Sequence, residues 1–391
     1  MLKKMNIRTK FLLAFLIMST IPFGLISLIS LINSSRALST VAFGQLESMR
    51  EVKKARIKFF FDERKADMEN IMQTAATLRQ SAFEKLSTVQ EIKKAQIEEY
   101  FQKSMADLSV ISRNSSVARA LGDFASVFDE KGDIDEGLYN FFETVKYGDF
   151  LRQFKNEYGY HDLMLITKHG RIVYTLNREQ DLGQNVASGN LKNSALDRYF
   201  QKELNKPTLY DFELYAPSGN KYMFFICAPV IQYSETVGVI ALKLDKKDVN
   251  TIAQRRKGMR ETGETFLAGK SHGRISYRSD QVVGQGKIGE YISDNHIERA
   301  LSGNPGSVVK KGSTDDMEIV RYDPLNIPGL NWAMVSTMSL EEVIAPRLEG
   351  EQEDYFAKYI RNYGYNDLFL IHPGVMFFTR YPIKLITVLM C

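Results

Sequence analysis

Residues 149–175 read DFLRQFKNEYGYHDLMLITKHGRIVYT, and this stretch decides the fold. It opens with the end of an amphipathic helix. Gly159, in Tyr158-Gly159-Tyr160, can take the left-handed conformation that closes a helix. The apolar run Leu163 to Ile166 then meets Ile172 to Thr175 across the polar turn Lys168-His169-Gly170, where glycine suits a tight hairpin. The stretch is a helix feeding the first hairpin of a sheet. The same text returns 205 residues later, from Asp354 to Ile371, with Tyr363-Gly364-Tyr365-Asn366-Asp367-Leu368 in matching positions. The module that begins at the first copy begins again at the second.

Upstream, the 22 residues from Phe11 to Ile32 carry no charge. As a helix they would cover ~33 Å, enough for a bilayer core of roughly 30 Å. Lys3, Lys4, Arg8 and Lys10 precede them without an acid, and only Arg36 follows before Glu47. The positive-inside rule therefore keeps residues 1–10 in the cytoplasm and places everything after residue 33 outside. A cleaved signal peptide is the rival reading, but the apolar run is long for one and no small-x-small site follows Ile32, which favours an uncleaved anchor. Cys227 and Cys391 offer no disulfide framework. The net charge of +4, part of it in the cytoplasmic tail, gives no general basic field for nucleic acid.

Between Gly44 and Gly122 lie 77 residues free of glycine and proline, rich in Lys, Glu, Ala and Gln, which read as long helix. Within them Val52-Lys53-Lys54-Ala55-Arg56-Ile57 and Phe61 recur 40 residues on as Ile92-Lys93-Lys94-Ala95-Gln96-Ile97 and Phe101, and Ile71 matches Ile111. Forty residues is close to eleven turns at about 3.6 residues per turn, so both copies present nearly the same face. That favours one rod with two docking surfaces over a coiled-coil spacer with solvated lysines. Asp62-Glu63 and Lys93-Lys94 interrupt a strict heptad seam. Asn114 is placed to cap a new helix through Val117, Leu121 and Phe124, and 129–137 reads as a loop.

From residue 138 the texture changes. A helix over Leu138 to Glu157 leads into the opening hairpin, a second helix lies around Leu191 to Leu204, and strands follow at Thr208 to Tyr215, Tyr222 to Ile231 and Thr236 to Leu244. This order is an α+β design with a five-stranded antiparallel sheet. After a basic helical connector, Lys246 to Lys257, the order repeats: a hairpin of Glu264 to Ala268 with Arg274 to Tyr277, a helix at Asn295 to Leu301, and strands at Ser307 to Lys311, Met317 to Tyr322 and Trp332 to Met338.

Most candidate chemistry fails on context. Gly284 to Gly289 matches G-x-G-x-x-G, but a dinucleotide site needs a parallel βαβ unit, and the neighbours here are antiparallel. Gly269 to Gly273 matches G-x-S-x-G, yet a strand rather than a helix follows, so an esterase elbow is excluded. The five histidines lack metal-ligand spacing, so neither a metal nor another cofactor is expected, and no catalytic residue is assigned. There remains a group around the first sheet: Tyr174, Arg198, Tyr199, Tyr210, Tyr215, Tyr222 and Lys243. Together they could line a pocket for a small polar or anionic ligand, with Arg198 or Lys243 as its charge partner.

The span, the long helix and the join between modules, Gly238-Val239-Ile240-Ala241-Leu242 followed by Arg256-Lys257-Gly258-Met259-Arg260-Glu261-Thr262-Gly263-Glu264-Thr265-Phe266-Leu267, resemble the double Cache extracytoplasmic sensor of bacterial chemotaxis receptors and sensor kinases. Tyr215-Ala216-Pro217-Ser218-Gly219 and Phe224 to Val230 strengthen the match. The resemblance implies two tandem PAS-like Cache modules: a membrane-distal one at 114–257, which usually binds ligand, and a membrane-proximal one at 258–348, which usually relays. Around them fall a cytoplasmic N-terminus (1–10), a transmembrane helix (11–32), a helical stalk (33–113) and the truncated start of a further unit (349–391). It also implies a homodimer in the cytoplasmic membrane, with the sensor region periplasmic or extracellular.

Members that bind amino acids carry Arg-x-Trp-Tyr after the pocket helix and acids that hold the amino group. Here Asp197-Arg198-Tyr199-Phe200 stands in that segment, and Pro217 and Lys243 fall where the acids are expected. The expectation is therefore a carboxylate or other anion, attracted by Lys243. After Ile371 the repeat runs out through Arg380 to Cys391, with neither a second span nor a signalling module, as in a fragment or a frameshifted gene. The leading reading is a ligand-sensing receptor exterior without catalysis. The alternative is a membrane-anchored structural or adhesive protein that uses the modules as spacers.

Overall fold

The computed structural model describes residues 6–382 except 130–131, 203–205, 272, 313–315, 346–353, 366 and 373–374. The chain divides into two compact units, Met1–Ala75 and Ala76–Cys391. Helix α1 runs from Ile7 to Ile111 and contains the uncharged stretch, which is long and apolar enough to cross a membrane. In the first unit Phe11, Phe15 and Phe23 of that stretch are exposed, as are Leu46, Val52, Ile57 and Phe61 beyond it.

In the second unit one face of α1 is buried. Gln90, Lys93, Ile97, Phe101, Ser104, Leu108 and Ile111 recur every three or four residues, which aligns them on one side of the helix. Lys93 does not interrupt this seam but belongs to it. Its Nζ donates to the Ala253 carbonyl and to Thr265 Oγ1, both at 2.9 Å. Burial, with Arg255 and Arg256 nearby, lowers its pKa to about 8. Gln90 Nε2 donates to Asp323 Oδ2 at 2.7 Å and to the Met334 carbonyl at 3.2 Å.

Helix α2 (Ser115–Ser126) starts where expected, because the Asn114 side chain accepts from Ser116 N at 2.8 Å. The helix expected over 138–157 is instead broken into α3 (Glu136–Phe141), a π-turn at Phe142–Lys146 and α4 (Gly148–Tyr158). Gly148 explains the break: a Cβ there would lie 1.6 Å from the Glu143 carbonyl oxygen, so the wide turn can close only over glycine. Gly159 ends α4 in the left-handed region, φ 77°.

The first sheet contains β1 (Asp162–Thr167), β2 (Ile172–Thr175), β3 (Thr208–Tyr215), β4 (Lys221–Gln232) and β5 (Glu235–Leu244), ordered β2-β1-β5-β4-β3 and antiparallel throughout. Between β2 and β3 the expected helix at 191–204 is shorter, a 3₁₀ turn at Gly189–Leu191 followed by α5 (Ala195–Gln201). Ser194 sets its start by accepting from Asp197 N. Helix α6 (Lys246–Ala253) leads to β6 (Glu264–Ser271), β7 (Arg274–Tyr277), α7 (Asn295–Leu301), β8 (Gly306–Lys311), β9 (Met317–Leu325) and β10 (Trp332–Ser339). Their order, β7-β6-β10-β9-β8, repeats the first sheet. A short α8 (Leu340–Ile344) follows. Then α9 (Tyr355–Tyr363) and the hairpin β11 (Asp367–His372) with β12 (Val375–Pro382) rebuild the opening stretch, with Gly364 (φ 68°) in the place of Gly159. The tail after residue 382 lies outside the described residues.

Both faces of the first sheet are covered, so β4 and β5 read as near-continuous apolar runs rather than alternating ones. Leu163, Leu165, Ile226, Ile240 and Leu242 pack towards α1 and α2, while Met164, Ile166, Phe225 and Ala241 pack towards α5. Where the two sheets meet, Trp332 lies 5.6 Å from the Phe101 ring and 5.5 Å from the Phe224 ring, and its Nε1 donates to Asp211 Oδ1 at 3.0 Å. Arg278 Nη2 reaches Asp211 Oδ2 at 2.8 Å, binding the edge of the first sheet to the second.

Two outcomes follow for the seam. Phe101→Ala should cost about 3–5 kcal/mol in urea unfolding followed by Trp332 fluorescence. Its repeat counterpart Phe61→Ala, at a position 64% exposed, should stay within about 0.5 kcal/mol. The second outcome concerns Lys93, whose folded pKa of about 8 lies below the ordinary 10.5. The folded state then binds fewer protons than the unfolded state between these values, so this residue's contribution rises with pH across the window and is lost as pH falls through about 8. Lys93→Met should remove that rise from stability measured from pH 7.5 to 10.5.

Candidate functional site

The β1–β5 register sets Asp162, at the head of β1, opposite Lys243, near the end of β5, each next to an apolar run. Both side chains are fully buried. Lys243 Nζ lies 2.9 Å from Glu179 Oε2, 3.2 Å from Asp162 Oδ2 and 3.7 Å from Asp181 Oδ2. Glu179 and Asp181 come from the loop after β2. Asp162 is anchored further: its Oδ1 accepts from Leu176 N (3.0 Å) and Asn177 N (3.1 Å), and its Oδ2 accepts from Thr175 Oγ1 (2.8 Å). Tyr215 OH donates to Asp181 Oδ2 at 2.8 Å, and the Tyr215 ring lies 5.3 Å from the ammonium. Ser218 Oγ donates to Glu179 Oε2.

Three carboxylates around one ammonium leave a surplus of negative charge out of water. Burial alone would lower the Lys243 pKa, but Asp162, Asp181 and Glu179 outweigh it and raise it. Burial raises the Asp181 pKa despite Lys243, whereas Ser218 and Lys243 overcome burial at Glu179 and lower it. Asp181 Oδ1 is buried and has no hydrogen-bond partner. At the edge of the cluster His161 stands between two acids, with Nε2 3.5 Å from Glu179 Oε1 and Nδ1 3.5 Å from Asp245 Oδ2. The contact with Asp245 raises its pKa.

Of the residues singled out in the sequence, Tyr199, Tyr210 and Tyr215 share the α5-covered face with Lys243. Arg198 lies over the Tyr210 ring at 5.6 Å, pairs with Glu213 Oε2 at 2.7 Å and donates to the Asn193 carbonyl at 2.6 Å. Tyr199 OH donates to the Lys206 carbonyl, while the buried Tyr210 OH has no partner. Tyr174 is separated from this group. It pairs in register with Leu165, faces the opposite side of the sheet and packs on Phe124 at 4.6 Å. Tyr222 is half-buried beside Gly289. Pro217 sits in a 3₁₀ turn; the acids come instead from Asp162, Glu179 and Asp181. Sequence reading missed these three. A charge heading the apolar run Leu163 to Ile166 was the available signal for Asp162, but the loop acids carry none.

The rejected motifs have structural explanations. The loop of the G-x-G-x-x-G match wraps the chain's own carboxylate: Glu264 accepts from Val282 N, Val283 N and Gly284 N at 2.9–3.1 Å and from Gln281 Nε2 at 2.9 Å. In the G-x-S-x-G match, Ser271 ends β6 and Arg274 begins β7, a hairpin rather than an elbow; His272 lies outside the described residues.

The sequence model of the Cache domain family matches residues 74–347. Comparison with the curated proteins gives no match. Among solved structures, the sensor domain of the Vibrio cholerae histidine kinase DctB is similar at 17% identity, with 66% of this chain and 98% of that one covered and a TM-score of 0.45. The ligand-binding domain of the Campylobacter jejuni chemoreceptor Tlp3 with 4-methylisoleucine is 12% identical, covering 70% and 96%, TM-score 0.43. The Pseudomonas aeruginosa amino acid chemoreceptor PctB domain with L-Gln is 14% identical, covering 68% and 93%, TM-score 0.41.

Removing the ammonium should expose the charge surplus. Lys243→Met should cost about 3–5 kcal/mol at pH 7, since it leaves buried carboxylates uncompensated. Burial already holds the Asp181 pKa above its ordinary value and the variant removes its neighbouring cation, so lowering the pH from 7 to 5 should narrow the gap to the parent in thermal unfolding.

Proposed function

The chain belongs to the Cache domain family, and from that premise we propose that it is the extracytoplasmic sensing part of a transmembrane signal-transduction receptor. It is anchored by residues 11–32 and binds a small polar ligand in the distal module, on the α5-covered face of the first sheet. The observation that carries this reading is Asp181 Oδ1, a buried carboxylate oxygen without a partner; on the same sheet face the Tyr210 hydroxyl is likewise unpartnered. Buried polar atoms are rarely left so, and a ligand's donor would satisfy them.

The charge balance refines the ligand class. Lys243 is already surrounded by three carboxylates and has no charge left to attract an anion. The site favours a ligand bearing an ammonium or other donor group, with the Tyr210 hydroxyl left to meet an acceptor. Such a ligand would shift the 176–182 loop between two arrangements. The change would pass through β5 to α6 and α1 as small displacements. The receptor works as a homodimer, with the exposed apolar residues Leu46, Val52 and Ile57 of α1 available to a second copy.

A thermal-shift screen of the full chain in detergent tests this. Small amines and amino acids should stabilise it, by about 2.7 kcal/mol at a hundredfold excess over Kd, and Asp181→Asn should abolish the shift. Stabilisation by amines that survives in Asp181→Asn would move the site elsewhere. No stabilisation by any of them would favour the anchored scaffold.

A further inference from the structure

A separate cleft of about 530 Å³ opens where the two sheets and their connector meet. His161 and Asp245 form one side, Asn220, Lys221 and Tyr222 at the head of β4 a second, and α6 the floor. Ile288 of the 281–289 loop closes it from the second module. Its size is that of a metabolite site.

The acids in and behind this cleft are committed. Asp245 accepts from Lys247 N at 2.7 Å and faces His161. Asp280, behind the floor, accepts from Lys246 Nζ (2.7 Å), Asn250 Nδ2 (3.1 Å) and Ile288 N (3.0 Å). The cations are not equally committed: among the described residues neither Lys221 nor Lys247 forms an ion pair, and both are exposed. His161 adds a third positive group when protonated. Tyr222 and Ile288 supply an apolar wall.

We propose that this inter-module cleft is a second ligand site, which takes a small organic anion bearing more than one carboxylate. Lys221 and Lys247 bind its charged ends, and Tyr222 and Ile288 pack on its carbon skeleton. The anion-binding role that the sequence suggests for Lys243 belongs to these two lysines. Because the walls come from both modules and from α6, the bound anion bridges them. It also meets the distal cluster through one residue, His161, which contacts Asp245 on the cleft side and Glu179 on the cluster side. This inference does not rest on the distal pocket being occupied.

The test is calorimetric titration of the full chain in detergent with citrate, and with inorganic phosphate as an anion lacking a carbon skeleton. Citrate should bind saturably and more tightly than phosphate. The double variant Lys221→Glu/Lys247→Glu, altered only at exposed side chains, should weaken citrate by about tenfold or more, equivalent to about 1.4 kcal/mol. Asp181→Asn should leave citrate binding unchanged. The proposal is overturned if citrate does not bind or binds no better than phosphate. It is also overturned if the double variant binds citrate as the parent does, or if Asp181→Asn removes the binding, which would place the anion in the distal pocket.

Discussion

The second unit depends on one buried helix face. From Gln90 to Ile111, α1 presents residues every three or four positions to both sheets at once. Gln90 and Lys93 reach the second sheet and its approach, Phe101 touches rings from both sheets, and Leu108 and Ile111 complete the core of the first. Each sheet alone would leave its helix-facing side in water. Together they close around a common apolar strip, so a displacement of either one loads the same helix.

Polar groups along that strip fix the register. Asp107 accepts from Tyr160 OH at 2.9 Å between α4 and β1, and Asp248 accepts from Tyr100 OH at 3.2 Å on the connector. Partly buried hydrogen bonds of this kind discriminate between registers more sharply than apolar contacts do, because a shift by one residue leaves a half-desolvated group without a partner. The distal cluster obeys the same logic with larger stakes. Lys243 is satisfied three times over, and the carboxylates that satisfy it are left in excess. His161 stands between this cluster, at Glu179, and the cleft between the modules, at Asp245.

Much of the fold was legible because it is written in local patterns. Strand periods, the turn glycines Gly159 and Gly170 and the cap at Asn114 each have a short-range physical cause, and the structure follows them within a few residues. The exceptions are instructive. The π-turn at 142–146 needed the contact between Gly148 and Glu143, and Lys93 looked like a solvated charge because nothing local tells a buried lysine from an exposed one. The candidate site was less legible. The residues around the first sheet were grouped without regard to its faces, and a bulge in β2 turns Tyr174 to the other side. The loop acids Glu179 and Asp181 have no periodicity to betray them.

By itself, then, the sequence determined the stretch long and apolar enough to cross a membrane, the order of helices and strands, the repetition of one sheet plan and the membership of the family, since these rest on composition and on contacts between near neighbours. Only the tertiary structure decided the sign of the charge around Lys243 and the existence of the inter-module cleft. Electrostatics depends on which charges meet through space. Lys243 reads as a free cation along the chain, and becomes a neutralised one only when a loop some sixty residues away folds three-dimensionally onto it.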